Sequence, residues 1–269
     1  MVTFLQKDAM NNIDFTRKKY SELLFRLKDR DYEFITFSEY CKGTFPQRFV
    51  ILRHDVDLKP LNSFDVAKDE KSIGTKATYY FRAVPESWDD DIIKAIYKMG
   101  HEVGYHYESL TTCNGDIQKA FNDFKKNLEQ LRKLVPVSTI CMHGSPRSPY
   151  DSKDIWKTYD YKSLGIIGEP YLSTDFSQML YMTDTGRRWD GYKVSVRDKI
   201  EGFQDEWNAK GWAFHSTDDI IKALQENRLP NQLMITTHPQ RWNDFGFGWM
   251  KELLMQNIKN IVKAFIVRR

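Results

Sequence analysis

The chain has 269 residues, 41% of them hydrophobic and 29% charged, which excludes a disordered or fibrous protein. Lys and Arg number 40 against 37 Asp and Glu. That formal +3 is too small for the clustered basic bias of a nucleic-acid binder. Three cysteines, Cys41, Cys113 and Cys141, with no Cys-x-x-C pair, exclude a disulfide scaffold and fit a reducing compartment. The opening stretch Met1 to Phe15 has no apolar core of signal-peptide length, and no window approaches ~18 consecutive apolar residues. A cytoplasmic protein without a membrane span is expected.

Helix-like and strand-like segments then alternate. Phe15 to Asp29 carries Tyr20, Leu23, Leu24 and Leu27 at helical spacing behind a capping Asp14. Phe49 to Leu52 is a continuous apolar run, the pattern of a strand buried on both faces. A polar helix near Phe64 to Lys71 stops at Gly74, and Ala77 to Phe81 reads as the next strand. A helix over Ile92 to Met99, a short strand over Glu102 to His106 and a long helix over Asp116 to Leu134 follow. Further strands are expected at Val137 to Met142, Leu164 to Ile167, Met179 to Met182 and Leu233 to Thr237. Helices are expected from Ser216 to about Glu226 and from Gly248 to Ile266. This alternation predicts βαβ units and a parallel sheet in one α/β domain, more a closed barrel than an open sheet. Residues 1–47 read as a helical N-terminal extension, and 170–215 as an insertion over one face.

Five of the six histidines fall near predicted strand ends, the side on which parallel α/β folds place their sites. Any one would pass as a satisfied strand-end residue; five together favour a site. Arg53-His54-Asp55-Val56-Asp57 sets two carboxylates at i and i+2 after a buried strand. There they need Arg53 and backbone partners, or they hold a cation and a general base. Their proximity is expected to raise one pKa. His101-Glu102-Val103-Gly104-Tyr105-His106-Tyr107-Glu108 puts His106 and Glu108 on one side, a donor pair suited to a divalent metal. His143 opens a stiff loop with Arg147, which could clamp an anionic group. His238 offers an acid, and Trp242 a stacking surface for a sugar. Asp184 and Arg187 in Thr183-Asp184-Thr185-Gly186-Arg187 could orient a sugar or tune the catalytic His.

The order of these clusters resembles the polysaccharide deacetylase superfamily, the NodB-homology or carbohydrate esterase family 4 group. The resemblance covers roughly residues 48 to 240. It implies a distorted (β/α)7-type barrel and a metal-dependent hydrolase removing an acyl group, N-acetyl first, from a sugar. Asp55 matches the strand-end base, and Asp57 stands one residue late for the family's adjacent metal Asp. His106 matches the first metal His of the second motif, and His238 the late His that acts as general acid. Arg147-Ser148-Pro149-Tyr150 is similar to the family's Arg-Pro-Pro-Tyr.

Two departures stand out. Val56 separates the Asp pair, and Leu110 occupies the place of the second metal His. The ligand set is therefore expected to be Asp57, His106 and His143, with Glu108 as another candidate, around zinc or else cobalt, nickel or manganese. Asp55, His238 and Arg147 are the expected catalytic residues. His54, Tyr107, Asp184, Arg187 and Trp242 are the expected substrate contacts. The partner implied is a carbohydrate, such as a nucleotide- or lipid-linked precursor of a surface polysaccharide. A non-catalytic carbohydrate-binding relative, or a hydrolase of non-sugar amides, are the competing readings.

Overall fold

The computed structural model describes residues 13–145, 148–190, 200–244, 246 and 248–255. Seven parallel strands form one sheet: β1 (Glu33–Ile35), β2 (Phe49–Val56), β3 (Thr78–Phe81), β4 (Glu102–Tyr107), β5 (Ile140–Met142), β6 (Leu180–Thr183) and β7 (Gln232–Thr237). Their order is β5-β4-β3-β2-β7-β6, with β1 beside the first half of β2. The sheet curls into a half-barrel, and among the described residues no ladder joins β5 to β6. This is the expected α/β barrel architecture in an open form.

The flanking helices are α1 (Arg17–Lys28), α2 (Pro60–Ile73), α3 (Asp90–Lys98), α4 (Ile117–Arg132) and α5 (Thr217–Gln225). Each start has a local cause. Thr16, Asp89, Asp116 and Ser216 accept backbone N–H groups of the first turn. α2 instead opens with Pro60, whose missing N–H costs nothing there, and ends at Gly74 in a left-handed conformation. The core is the sheet and its helix-facing sides: every residue of β2 is buried, from Phe49 through Val56.

Gly104 has a packing reason in β4. A Cβ there would meet the Tyr80 ring at 2.3 Å, so glycine lets the Tyr80 ring cross the strand beside it. Residues 248–255 are helical; the rest of the expected final helix lies outside the described residues. None of the described helices is long and apolar enough to cross a membrane.

Three expectations change. The stretch 1–47 is not purely helical in its described part, because Glu33–Ile35 pairs with Phe49–Ile51. Leu164 to Ile167 is not a strand: a 3-10 turn over Tyr161–Leu164 ends at Gly165 with φ 71°, leaving only a single bridge, Thr139 to Gly168. And 170–215 is not wholly an insertion: the strand expected at Met179 to Met182 is present within it as β6, fully buried on β7.

Candidate metal and acid–base site

Alternation along β2 sends Arg53 and Asp55 to one face and His54 to the other. Arg53 Nε and Nη2 donate to the two Asp55 oxygens at 2.9 and 2.6 Å. Nη2 also reaches the Tyr171 hydroxyl at 3.0 Å, and the guanidinium lies over the Tyr171 ring. Asp57 sits just past the strand. His106 Nε2, from β4, lies 3.8 Å from Asp55 Oδ2 and 3.7 Å from Asp57 Oδ1, so both carboxylates meet one ring nitrogen.

His143 follows β5, its N–H donating to Tyr107 O. Its Nδ1 stands 3.1 Å from Asp57 Oδ1 and 3.2 Å from His106 Nε2. Asp57 Oδ1, although buried, accepts no well-directed hydrogen bond; the short approach of His143 is misaligned for one. Three donor atoms thus form a triangle with edges of 3.1, 3.2 and 3.7 Å. Bonds of about 2.0–2.1 Å to a tetrahedral zinc would space its ligands about 3.3 Å apart. An unmatched buried oxygen and two imidazoles at that spacing fit a divalent cation. Leu110 is not part of the triangle: it packs with Ala120 and Ile155 in a separate apolar cluster.

Charge states follow from the surroundings. Burial pushes His106 down to about 4, so at neutral pH its ring is neutral, as a ligand must be. Burial also lowers His143, but the Asp57 carboxylate more than offsets it and the net shift is upward. The expectation that one carboxylate of the pair rises is not met. Burial alone would raise Asp55, yet Arg53 brings it below its ordinary value. Asp57 lies well below its own, because the neighbouring histidines outweigh burial.

The acid side comes from β6 and β7. His238 follows β7, and its Nδ1 faces Asp184 Oδ1 at 2.6 Å. Asp184 also accepts from His238 N, Trp242 Nε1 and Arg241 Nη1. With Nδ1 donating to Asp184, Nε2 is left facing Asp57 Oδ2 at 3.8 Å. Burial and Arg241 lower the His238 pKa, but Asp184 and Asp57 carry it above the usual value.

Asp55, Asp57, His106, His143 and His238 are therefore brought together at the carboxyl ends of β2, β4, β5 and β7. Glu108 is near, but beyond the His143 ring: its Oε2 is 4.0 Å from His143 Nε2, the nitrogen turned away from the triangle. Asp184 is fully buried behind His238, where it holds the ring rather than a ligand. Arg187 is buried too, donating to Trp249 O between the Phe15 and Trp249 rings.

The structure does not bring His54, Tyr107 or Trp242 to the opening. His54 bonds Glu70 and Thr237 on the opposite face of β2. Tyr107 is enclosed by Phe124 and Trp156, and Trp242 by Phe15, Tyr20 and Trp189. His101 precedes β4, at the far end of the strand from the site. Arg147 lies outside the described residues. Sequence reasoning gave no functional role to Arg53, Arg82 or Arg241; for Arg53 the i, i+2 spacing to Asp55 was the available signal.

No family model matches the sequence, and no curated protein matches it. Solved structures of the CE4 family do. A CE4 family pseudoenzyme from Bacillus anthracis is 12% identical over 81% of this chain and 62% of its own, with a TM-score of 0.42. This chain thus spans less than two thirds of that protein. The catalytic domain of a peptidoglycan N-acetylglucosamine deacetylase from Eubacterium rectale is 14% identical, covering 78% and 84%, at 0.41. A Streptococcus mutans CE4 esterase is 13% identical, covering 89% and 90%, at 0.43. The similarity is one of overall fold at low identity; the chemistry is carried by the side chains described above.

Proposed function

We propose that this chain is a divergent member of the polysaccharide deacetylase superfamily that hydrolyses an acyl amide, N-acetyl first, on a sugar. The observation that carries this is the meeting of Asp57 Oδ1, His106 Nε2 and His143 Nδ1 within 3.7 Å of one another, flanked by Asp55 and by His238. A divalent cation held by these three atoms, zinc in first place, would polarise the acyl carbonyl and acidify the attacking water. Asp55, kept ionised and fixed by the two Arg53 contacts, accepts the proton of that water. His238 gives its Nε2 proton to the leaving amine, and Asp184 holds the ring so that this nitrogen faces inward. Arg53 holds the base; Arg147, the expected catalytic arginine, lies outside the described residues.

Val56 and Leu110 are the departures on which a non-catalytic binding reading stands. His143 supplies a donor where Leu110 cannot, and Asp57 reaches the triangle despite Val56. The test is elemental analysis of protein purified without chelator, beside acetyl release from N-acetylated sugars and from simple amides. Near one equivalent of metal is expected in wild type, lost in Asp57→Ala and His106→Ala, with metal-dependent release from the sugar. No uptake of zinc, cobalt, nickel or manganese overturns the hydrolase reading. Release from simple amides alone shifts the substrate class away from sugars.

A further inference from the structure

The unusual member of the triangle is His143, and its two ring nitrogens face different partners. Nδ1 lies 3.1 Å from Asp57 Oδ1 and 3.2 Å from His106 Nε2, whereas Nε2 faces Glu108 Oε2 at 4.0 Å, longer than a hydrogen bond. A neutral imidazole has one N–H and one lone pair, and the acceptor met by the N–H decides which nitrogen is free to bind metal. For His106 that acceptor is the Cys141 carbonyl, 2.9 Å from Nδ1, which leaves Nε2 for the site. His143 needs the mirror arrangement, with the proton on Nε2.

Glu108 is the carboxylate on that side of the ring. Its Oε1 accepts both Nε and Nη2 of Arg82, at 2.9 and 2.6 Å. Both bonds end on Oε1, which leaves Oε2 toward His143. Arg82 is itself anchored: its Nη1 donates to the Asp57 carbonyl at 3.0 Å, and its backbone N–H to Ser87 Oγ, which in turn donates to Val56 O. One arginine at the end of β3 thus ties the Asp57 backbone, past β2, to the Glu108 carboxylate, past β4. Both Arg82 and Glu108 are largely shielded, with side chains 19% and 16% exposed, so their pairing is screened less than a surface pair.

We propose that Glu108, oriented by Arg82, is a positioning residue that takes up the His143 Nε2 proton as its acceptor when a cation occupies Nδ1, and so stabilises Nδ1 as a metal ligand. Glu108 acts through His143, from the side of the ring remote from the triangle, and does not itself bind the ion. This rests on the metal-site reading above and adds to it the means by which a histidine from β5 replaces the one absent at Leu110.

The test uses the full chain and zinc alone, competed against a chromogenic chelator, with long-range 15N–1H spectra of the imidazoles to read the tautomers. In zinc-loaded wild type the His143 proton is expected on Nε2; without zinc, Nδ1 has the Asp57 carboxylate at 3.1 Å as its own acceptor. Glu108→Ala is expected to weaken zinc binding about 10–100-fold. Arg82→Met, which leaves the carboxylate present but unanchored, is expected to weaken binding less. Glu108→Gln keeps the size of the side chain and is read in the same way should the alanine variant fold poorly by thermal melt.

Zinc affinity unchanged in a folded Glu108 variant overturns the positioning role while leaving the metal site intact. Coordination of His143 through Nε2 in the zinc-loaded wild type overturns it as well. A wild type that takes up no zinc overturns the metal reading and this inference together, and is distinguished from the first case by the wild-type measurement alone.

Discussion

Two clusters of histidine and carboxylate lie back to back on β2, and they differ in how well their oxygens are matched. On the helix side, Glu70 of α2 is fully buried. Its Oε1 meets Tyr20 Oη and His54 Nε2 at 2.5 and 2.7 Å, and its Oε2 meets Tyr79 Oη at 2.7 Å, with His101 Nδ1 3.6 Å away. His54 completes its own pairing on Thr237. On the other side, just past the end of β2, Asp57 Oδ1 stands among imidazole nitrogens without a well-directed hydrogen bond. The residue types are the same. A satisfied buried cluster holds strands and helix together, whereas an unsatisfied one of this spacing is a candidate for a ligand.

That contrast can be broken by substitution. The largest effect is expected at Asp55. In Asp55→Asn the group that takes the proton is removed while Asp57, His106 and His143 remain, so bound metal is retained and kcat falls about 10²–10⁴-fold. Loss of the metal together with turnover would make Asp55 a ligand and undo the division of roles between the two carboxylates. Arg53 would be left with an amide in place of a carboxylate, so some fall in melting temperature is expected as well.

Glu70→Ala is the counterpart on the matched side. Three polar side chains, Tyr20, His54 and Tyr79, would lose their shared acceptor, and removal of one partner from a buried charged network costs about 3–5 kcal/mol. Urea unfolding is expected to show that loss, with bound metal per folded molecule near the wild-type value. A Glu70→Ala protein of normal stability that no longer binds metal would reverse the comparison and place the functional cluster on the helix side.

The same contrast explains what was legible beforehand. β2, β4 and β7 were readable because each pairs an apolar run with a polar cluster at its end. Strand alternation paired Asp55 with Asp57 and His106 with Glu108, and their common opening followed from both pairs lying at strand ends. His54 was misread for the same reason it was visible: it adjoins the aspartates in sequence but alternation turns it to the other face. Glu70 gave no signal, since its partners come from three different elements and α2 reads as a polar helix. The role of Asp184 was open for a related reason, its partner His238 lying 54 residues further on. β1 escaped notice because a strand of three residues is too short for alternation to register.

The smallest expected effect concerns that distant pair. Burial would raise the Asp184 pKa, yet Arg241 and His238 hold it down at about 2, against about 3.9 in an unfolded chain. A carboxylate depressed by folding contributes its stability in full above the unfolded value and loses it as pH falls through the folded one. The window is therefore about pH 4 down to 2, and the contribution is on the order of 2 kcal/mol. Asp55 and Asp57 are lowered in the same sense, so the wild-type slope alone does not assign the effect. The difference between wild type and Asp184→Asn does: stability of the variant should fall less steeply between pH 5 and 2.5 in urea titrations. Parallel slopes would mean that Asp184 is not the depressed group. The variant carries a second, independent readout. With an amide that can present either oxygen or nitrogen to His238 Nδ1, the ring no longer has a single favoured tautomer. Proton delivery by Nε2 should suffer while the triangle of Asp57, His106 and His143 does not, so kcat should fall with little change in KM or in bound metal.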